Sequence, residues 1–206
     1  MAELVATYRA PAARSPLAHL QTAMAEGAVF GERGVTLREV AFVTMISVRV
    51  DPTGSAASRL AEVLGASIPL SCGTVATGST HQVLWLGPDE FLVVSGDDAA
   101  SLTDRLVEAL GESPGLVVDV SANRTTLELS GPSARAVLEK GCMLDLHPRA
   151  FKAGTAVSTQ IGPVLVILWQ VDDVPSYRIL PRASFSDYAA RWLLDAMLEY
   201  GEPEVP

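Results

Sequence analysis

Few residues in this sequence have the types and spacings that chemistry requires. The cysteines Cys72 and Cys142 are far apart and show no Cys-x-x-Cys spacing, which argues against a disulfide framework or a thiolate zinc site. Cys142, between Gly141 and Met143, reads as a buried inert thiol. His19, His81 and His147 are scattered, and none has carboxylates or cysteines at metal-ligand spacing. Asp89 and Glu90 are adjacent carboxylates, the raw material of general acid–base catalysis. They fall, however, within Gly87-Pro88-Asp89-Glu90, a turn sequence that calls for polar residues in any case. Residues 71–78 contain glycines but lack the phosphate-loop lysine, and read as a flexible loop. Gly-x-Gly-x-x-Gly and Gly-x-Ser-x-Gly are both absent, which removes the simplest dinucleotide and hydrolase readings.

One polar junction stands out. Asp119, Asn123 and Arg124 lie in an Asp-Val-Ser-Ala-Asn-Arg segment between two apolar strands. Such a junction either presents side chains at a sheet end or is a self-satisfied crossover loop. Residues 124–152 are also net basic, with Arg124, Arg135, Lys140, Arg149 and Lys152 against Glu128, Glu139 and Asp145. They form either a receptor for an acidic ligand or partner, or a solvated helix face.

The elements that would position these residues can be read from periodicity. Residues 1–33 are expected to form an N-terminal arm with one short helix, opened by Ser15-Pro16 and carrying Leu17, Leu20 and Met24 on one face. A three-residue apolar stripe is marginal alone, so the arm docks on its own core or on a partner. Residues 34–206 are expected to form an α+β domain of two duplicated βαββα-type halves, about 34–121 and 122–206. In the first half, residues 43–50 read as a strand, followed by a helix with Ala57, Leu60, Ala61 and Leu64 inward and Gly65 at its end. A hairpin over residues 83–94, a helix capped by Asp97 or Asp98, and a buried strand over 116–120 follow. The second half restarts with a strand over 125–129, a helix opened by Gly131-Pro132, and strands over 155–161, 163–171 and 177–180. The last helix starts at Ser184, with Asp187 completing a capping-box-like pair. Its apolar arc is wide enough for deep burial in its own core or against a partner.

Composition limits the classes. Of 206 residues, 49% are hydrophobic and 19% charged, with a formal net charge of −9. This excludes a disordered chain and argues against binding a nucleic-acid backbone or an anionic membrane as the main task. Basic residues comprise 13 arginines against Lys140 and Lys152, which reflects a GC-rich genome or selection at interfaces. Residues 1–14 hold no apolar core of signal-peptide length, being interrupted by Glu3 and Arg9. The longest apolar run, 164–169, is too short to span a bilayer, so a cytoplasmic location is expected.

Three stretches resemble the gamma subunit of bacterial heterotetrameric sarcosine oxidase. They are Leu84-Trp85-Leu86-Gly87-Pro88-Asp89-Glu90-Phe91, Val118-Asp119-Val120-Ser121-Ala122-Asn123-Arg124-Thr125, and Lys140-Gly141-Cys142-Met143-Leu144-Asp145-Leu146-His147-Pro148. The last continues into Arg149-Ala150-Phe151, and the ending from Tyr177-Arg178 to Trp192-Leu193-Leu194-Asp195-Ala196 also fits. The resemblance covers roughly residues 40–200, with Phe91 where tryptophan is more usual.

The resemblance implies a subunit of a four-chain flavoenzyme that oxidatively demethylates sarcosine to glycine, with hydrogen peroxide and formaldehyde or methylenetetrahydrofolate. It places FAD and the substrate site on the beta chain, and covalent FMN at the boundary between beta and alpha. It places NAD and tetrahydrofolate on alpha, and zinc on delta. The gamma chain itself is expected to hold no cofactor and to serve as a noncatalytic assembly subunit buttressing alpha. Its fold is expected to resemble the folate-binding domain of aminomethyltransferases. The alternative is a stand-alone folate-binding one-carbon transferase. Against it, the signature Tyr-Thr-Gly-Glu-x-Gly-x-Glu is absent. No catalytic, cofactor-binding or metal-binding residue is assigned.

Overall fold

Central strands with apolar residues on both faces are possible only where both faces are covered. The strands β5 (Glu90–Ser95) and β9 (Val164–Asp172) meet that condition here. In the computed structural model, which describes residues 14–202, Phe91 and Val93 of β5 face one core while Leu92 and Val94 face another. Likewise Val166 and Leu168 of β9 pack on one side, with Ile167 and Trp169 on the other. The remaining strands are β1 (Thr36–Val40), β2 (Thr44–Val50), β3 (Val75–Thr77), β4 (His81–Gly87), β6 (Gly115–Asp119), β7 (Thr126–Ser130), β8 (Thr155–Ile161) and β10 (Ser176–Pro181). The helices are α1 (Gln21–Glu26), α2 (Ser55–Leu64), α3 (Ala99–Leu110), α4 (Ala134–Glu139) and α5 (Ser186–Gly201).

The strands form two antiparallel five-stranded sheets, ordered β6-β2-β5-β4-β3 and β1-β7-β10-β9-β8. The orders correspond strand for strand, so β2-α2-β3-β4-β5-α3 is repeated as β7-α4-β8-β9-β10-α5. This is the duplicated α+β architecture expected from the sequence. The flanking strands differ in origin: β6 follows α3, whereas β1 lies early in the chain and pairs with β7 of the second unit.

The sheets pack face to face through Met45, Leu84, Leu92 and Val94 against Ala156, Ile167, Trp169 and Leu180. Helices cover the outer faces, giving four layers. Leu60, Leu64, Leu102 and Leu106 of α2 and α3 pack on Ile46, Val48 and Val93. Val137, Leu138, Leu193 and Met197 of α4 and α5 pack on Leu127, Leu129 and Ile179. Leu17, Leu20 and Met24 are buried in this second outer core, so the described part of the N-terminal segment docks on its own chain. Glu3 and Arg9 lie outside the described residues.

Four local expectations change. Ser15 does not cap a helix; its hydroxyl donates to Glu39 Oε2 at 2.6 Å, and the helix begins with a 3-10 turn at Ala18–Leu20. Ser184 and Asp187 form no capping box. A 3-10 turn at Ala183–Phe185 leads into α5, and Asp187 pairs with His19 (2.6 Å) and Arg191 (2.9 Å) instead. In each case another side chain engages the expected capping group, Glu39 for Ser15 and His19 with Arg191 for Asp187. The strand expected to be buried at 116–120 is the exposed edge strand β6, with Leu116 49% and Val118 40% exposed. Its apolar run looks the same whether it ends up central or at an edge. Residues 71–78, expected to be a loop, contain β3, joined to the other sheet by a Thr74–Thr155 bridge.

The arc of α5 divides. Ala189, Ala190, Leu193, Ala196 and Met197 are buried in its own core, while Phe185, Tyr188 and Leu198 are 51%, 48% and 66% exposed.

Candidate functional site

The polar junction singled out in the sequence is a built loop. Asp119 Oδ1 accepts from the Ser121 N–H (2.9 Å) and hydroxyl (2.6 Å), and these bonds hold its carboxyl below the usual aspartate range. Ser121 Oγ in turn accepts from the Met45 N–H at 3.0 Å, fastening the loop to β2. The Asn123 backbone bonds to Val120 and Ala183, so this residue acts through its main chain. Asp119 and Asn123 therefore serve the crossover.

Arg124 differs. Its Nη1 donates to the Leu180 carbonyl at 3.0 Å, and it makes no ion pair among the described residues. Burial, followed by the like charge of Arg182, pushes its pKa down, with the Glu90 carboxylate opposing in part. Arg182 faces it across an isolated antiparallel bridge.

Arg124 borders a chamber of about 420 Å³ between the β1–β2 corner and the β6–β7 junction. Glu39, Phe42, Thr44, Ser121, Arg14 and Thr126 contribute to its walls. Glu39 is already engaged, accepting from Ser15 Oγ and the Leu17 N–H. The hydroxyl of Thr126 is buried without a hydrogen-bond partner. Phe42, at the corner, has φ +58°, and is the non-glycine residue with positive φ among the described residues. A bulky side chain in this region is strained, and Phe42 is also 70% exposed. Phe42, Thr126, Arg14 and Arg182 carry no spacing signal in the sequence, and only the fold relates them to Arg124.

The other candidates have structural partners. Asp89 and Glu90 sit at the β4–β5 turn against Arg49, with Glu90 Oε2 accepting at 2.8 Å. Cys72 is exposed and Cys142 buried, and both are free thiols. His147 Nδ1 accepts from the Arg149 N–H, locking a turn. The basic residues of 124–152 do not share a site: Arg135 bonds Tyr177 Oη, and Lys140 pairs with Glu199 beside the Tyr200 ring. Among the described residues no group of three or more His, Cys, Asp and Glu could hold a metal, and no helix is long and apolar enough to cross a membrane.

His81 is a buried clamp. Nδ1 donates to the Leu64 carbonyl at the end of α2 (2.9 Å), and Nε2 meets Asp97 Oδ2 (3.0 Å), which also accepts from Arg105 (3.0 Å). Replacing His81 with alanine removes the ring that ties the end of α2 to Asp97 and should cost about 1–3 kcal/mol, seen as a melting point lower by several degrees. The His81 hydrogen bond is the main cause that holds the Asp97 carboxyl below its ordinary value. A depressed carboxyl stabilises the fold above the unfolded-chain value and loses that contribution as pH falls through the folded one. Acid unfolding profiles should therefore be shallower for Asp97→Asn than for the unmodified chain.

Comparison with known proteins places the chain in a family. Residues 48–199 match the model of the sarcosine oxidase, gamma subunit family. The chain is 48% identical over 193 residues to the sarcosine oxidase subunit gamma of Corynebacterium sp. (strain U-96), covering 93% of each chain. It is 46% identical over 193 residues to that of Arthrobacter sp., again covering 93% of each. A chain of the solved heterotetrameric sarcosine oxidase from Corynebacterium sp. U-96, in complex with pyrrole 2-carboxylate, superposes with a TM-score of 0.90 at 48% identity, over 94% of this chain and 99% of that one. The glycine cleavage system aminomethyltransferase T from Bartonella henselae shares the fold, with a TM-score of 0.61 at 16% identity over 87% of this chain and 56% of that one. From family match, identity and superposition together, the chain belongs to the sarcosine oxidase gamma subunit family.

Proposed function

We propose that this chain is a noncatalytic assembly subunit of a heterotetrameric sarcosine oxidase. The complex oxidatively demethylates sarcosine to glycine, yielding hydrogen peroxide and formaldehyde, or methylenetetrahydrofolate when tetrahydrofolate accepts the one-carbon unit. The single observation that carries this reading is the 48% identity across 94% of the chain to a component of a solved heterotetramer. On this reading FAD, covalent FMN, NAD, tetrahydrofolate and zinc reside on the alpha, beta and delta chains. Alpha is the main contact, and the assembly works in the cytoplasm.

The residues present do not fit folate chemistry. A one-carbon transferase needs a placed, available carboxylate near the reacting amine. In the chamber Glu39 is occupied by Ser15 and Leu17, and in the adjoining crossover loop Asp119 is occupied by Ser121. Titration calorimetry of the full chain with tetrahydrofolate should therefore give no saturable heat. Saturable binding would favour the one-carbon transferase alternative.

A further inference from the structure

We propose that the chamber beneath Phe42 receives an acidic side chain of a partner subunit, whose carboxylate meets Arg124 while the apolar surface around it covers Phe42. This rests on the chain being an oxidase subunit.

Three observations converge on one corner. Phe42 combines a left-handed backbone (φ +58°) with 70% exposure of an aromatic ring. Both are unfavourable in the free chain. Arg124 is partly withdrawn from water with no carboxylate within ion-pair distance among the described residues, Glu90 acting on it only from farther off, and one of its donors is used on Leu180. A guanidinium so placed lacks the bidentate acceptor that suits its fork. Thr126, on the same wall, leaves a buried hydroxyl without a partner.

Charge decides the chemistry of the occupant. Arg14 at the chamber and Arg182 beside Arg124 add like charges, and neither makes an ion pair among the described residues. The chain as a whole carries −9, so this is a local basic focus on an acidic protein. Glu39, the carboxylate in the wall, is held by Ser15 and Leu17, and Glu90, the carboxylate whose field reaches Arg124, is paired with Arg49 at 2.8 Å. The charge balance calls for an anion from outside. A small free carboxylate would satisfy Arg124 and still leave Phe42 in water, whereas a protein surface closes over both.

The test uses the assembled four-chain oxidase, made by co-expressing the full chain with its partner subunits and followed by mass photometry on dilution and with added salt. Phe42→Gly removes the ring and relieves the backbone. The full chain should melt no lower than before, yet leave the complex at concentrations about 10-fold higher. Arg124→Gln should weaken assembly about 30-fold or more and flatten its salt dependence. Arg182→Gln, at an exposed position, should leave the fold intact and also reduce the salt dependence. Unchanged dissociation for all three variants overturns the proposal. So does saturable, Arg124-dependent binding of acetate or benzoate by the full chain with assembly unaffected, which makes the chamber a small-molecule site. A homodimer lost in Phe42→Gly overturns it in favour of a second copy. A wild-type chain that enters no complex overturns the subunit reading itself, and is distinguished by failing before any variant is made.

Discussion

Replacing Gly131 with alanine should lower the stability of the folded chain by at least ~3 kcal/mol, a melting-point drop of roughly 6–12 °C for a protein of this size. Gly131 joins β7 to α4 with φ +118°, a conformation an L side chain rarely adopts. A Cβ there would lie 2.5 Å from the Gly34 carbonyl oxygen and 3.1 Å from Val35 Cα. Both neighbours are backbone. That backbone is itself fixed, because Ser133 N–H donates to Gly34 O at 3.0 Å and Gly131 N–H to Pro175 O at 3.0 Å. The chain cannot yield there without losing the seam that ties β1 and the start of α4 together. Two other glycines separate the contributions. Gly154 has φ +78° and nothing within 4 Å of where a methyl group would sit, so Gly154→Ala should show the backbone strain alone, about 1 kcal/mol. Gly96 has neither a positive φ nor a neighbour within 4 Å, and Gly96→Ala should be neutral to slightly stabilising. Thermal melts of the three variants that fail to rank in this order would contradict the packing described for the β7–α4 turn.

Replacing Tyr177 with alanine should cost about 3–5 kcal/mol, the range for truncating a buried aromatic. Tyr177 is fully buried, stacks on Phe151 at a centroid distance of 6.5 Å, and accepts from Arg135 Nε through its hydroxyl at 3.1 Å. Alanine opens a cavity and takes the acceptor from Arg135. Phenylalanine keeps the volume and loses only the hydrogen bond, and should cost about 1–2 kcal/mol. Burial also pushes the phenol pKa up, with Arg135 opposing in part. A group whose folded value is raised contributes stability below its unfolded value and loses it as pH rises through the folded one. Alkaline destabilisation should accordingly be milder in Tyr177→Phe. Equal costs for alanine and phenylalanine would mean that the ring is not packed as described.

The architecture was legible in the sequence where one local signal settled the outcome. Gly65 closes α2 in the left-handed conformation expected of a terminal glycine, and Gly87-Pro88-Asp89-Glu90 turns the β4–β5 hairpin as expected. Asp98, one of two candidate caps, accepts from Ser101 N–H at 2.9 Å, which leaves Asp97 for His81 and Arg105. Where distant residues compete with local ones, the pattern was silent. β1 carries Arg38 and Glu39 and offers little alternation, yet it forms by pairing along β7 with Leu37 buried in the core, and Arg38 reaches Glu128 on β7 at 2.8 Å. Ser15 and Asp187 leave their expected caps for Glu39 and for His19 and Arg191.

The candidate site was half legible. The stretch holding Asp119, Asn123 and Arg124 was marked by its polarity between apolar strands, and Arg124 does border the chamber. The other residues there come from separate parts of the chain, and a phenylalanine gives no sign in sequence that its backbone will be left-handed. The motif Lys140-Gly141-Cys142 proves to be packing: a Cβ on Gly141 would lie 2.5 Å from the Trp192 ring. Lys140, beside it, pairs with Glu199.

The most direct test of the assembly role is to purify the tagged full chain from its native host and record native mass spectra together with a visible absorption spectrum. The predicted result is one yellow assembly containing three other chains, with the flavin remaining on those chains when this one is dissociated. Recovery of a colourless protein alone, or of flavin that travels with this chain after dissociation, would contradict it.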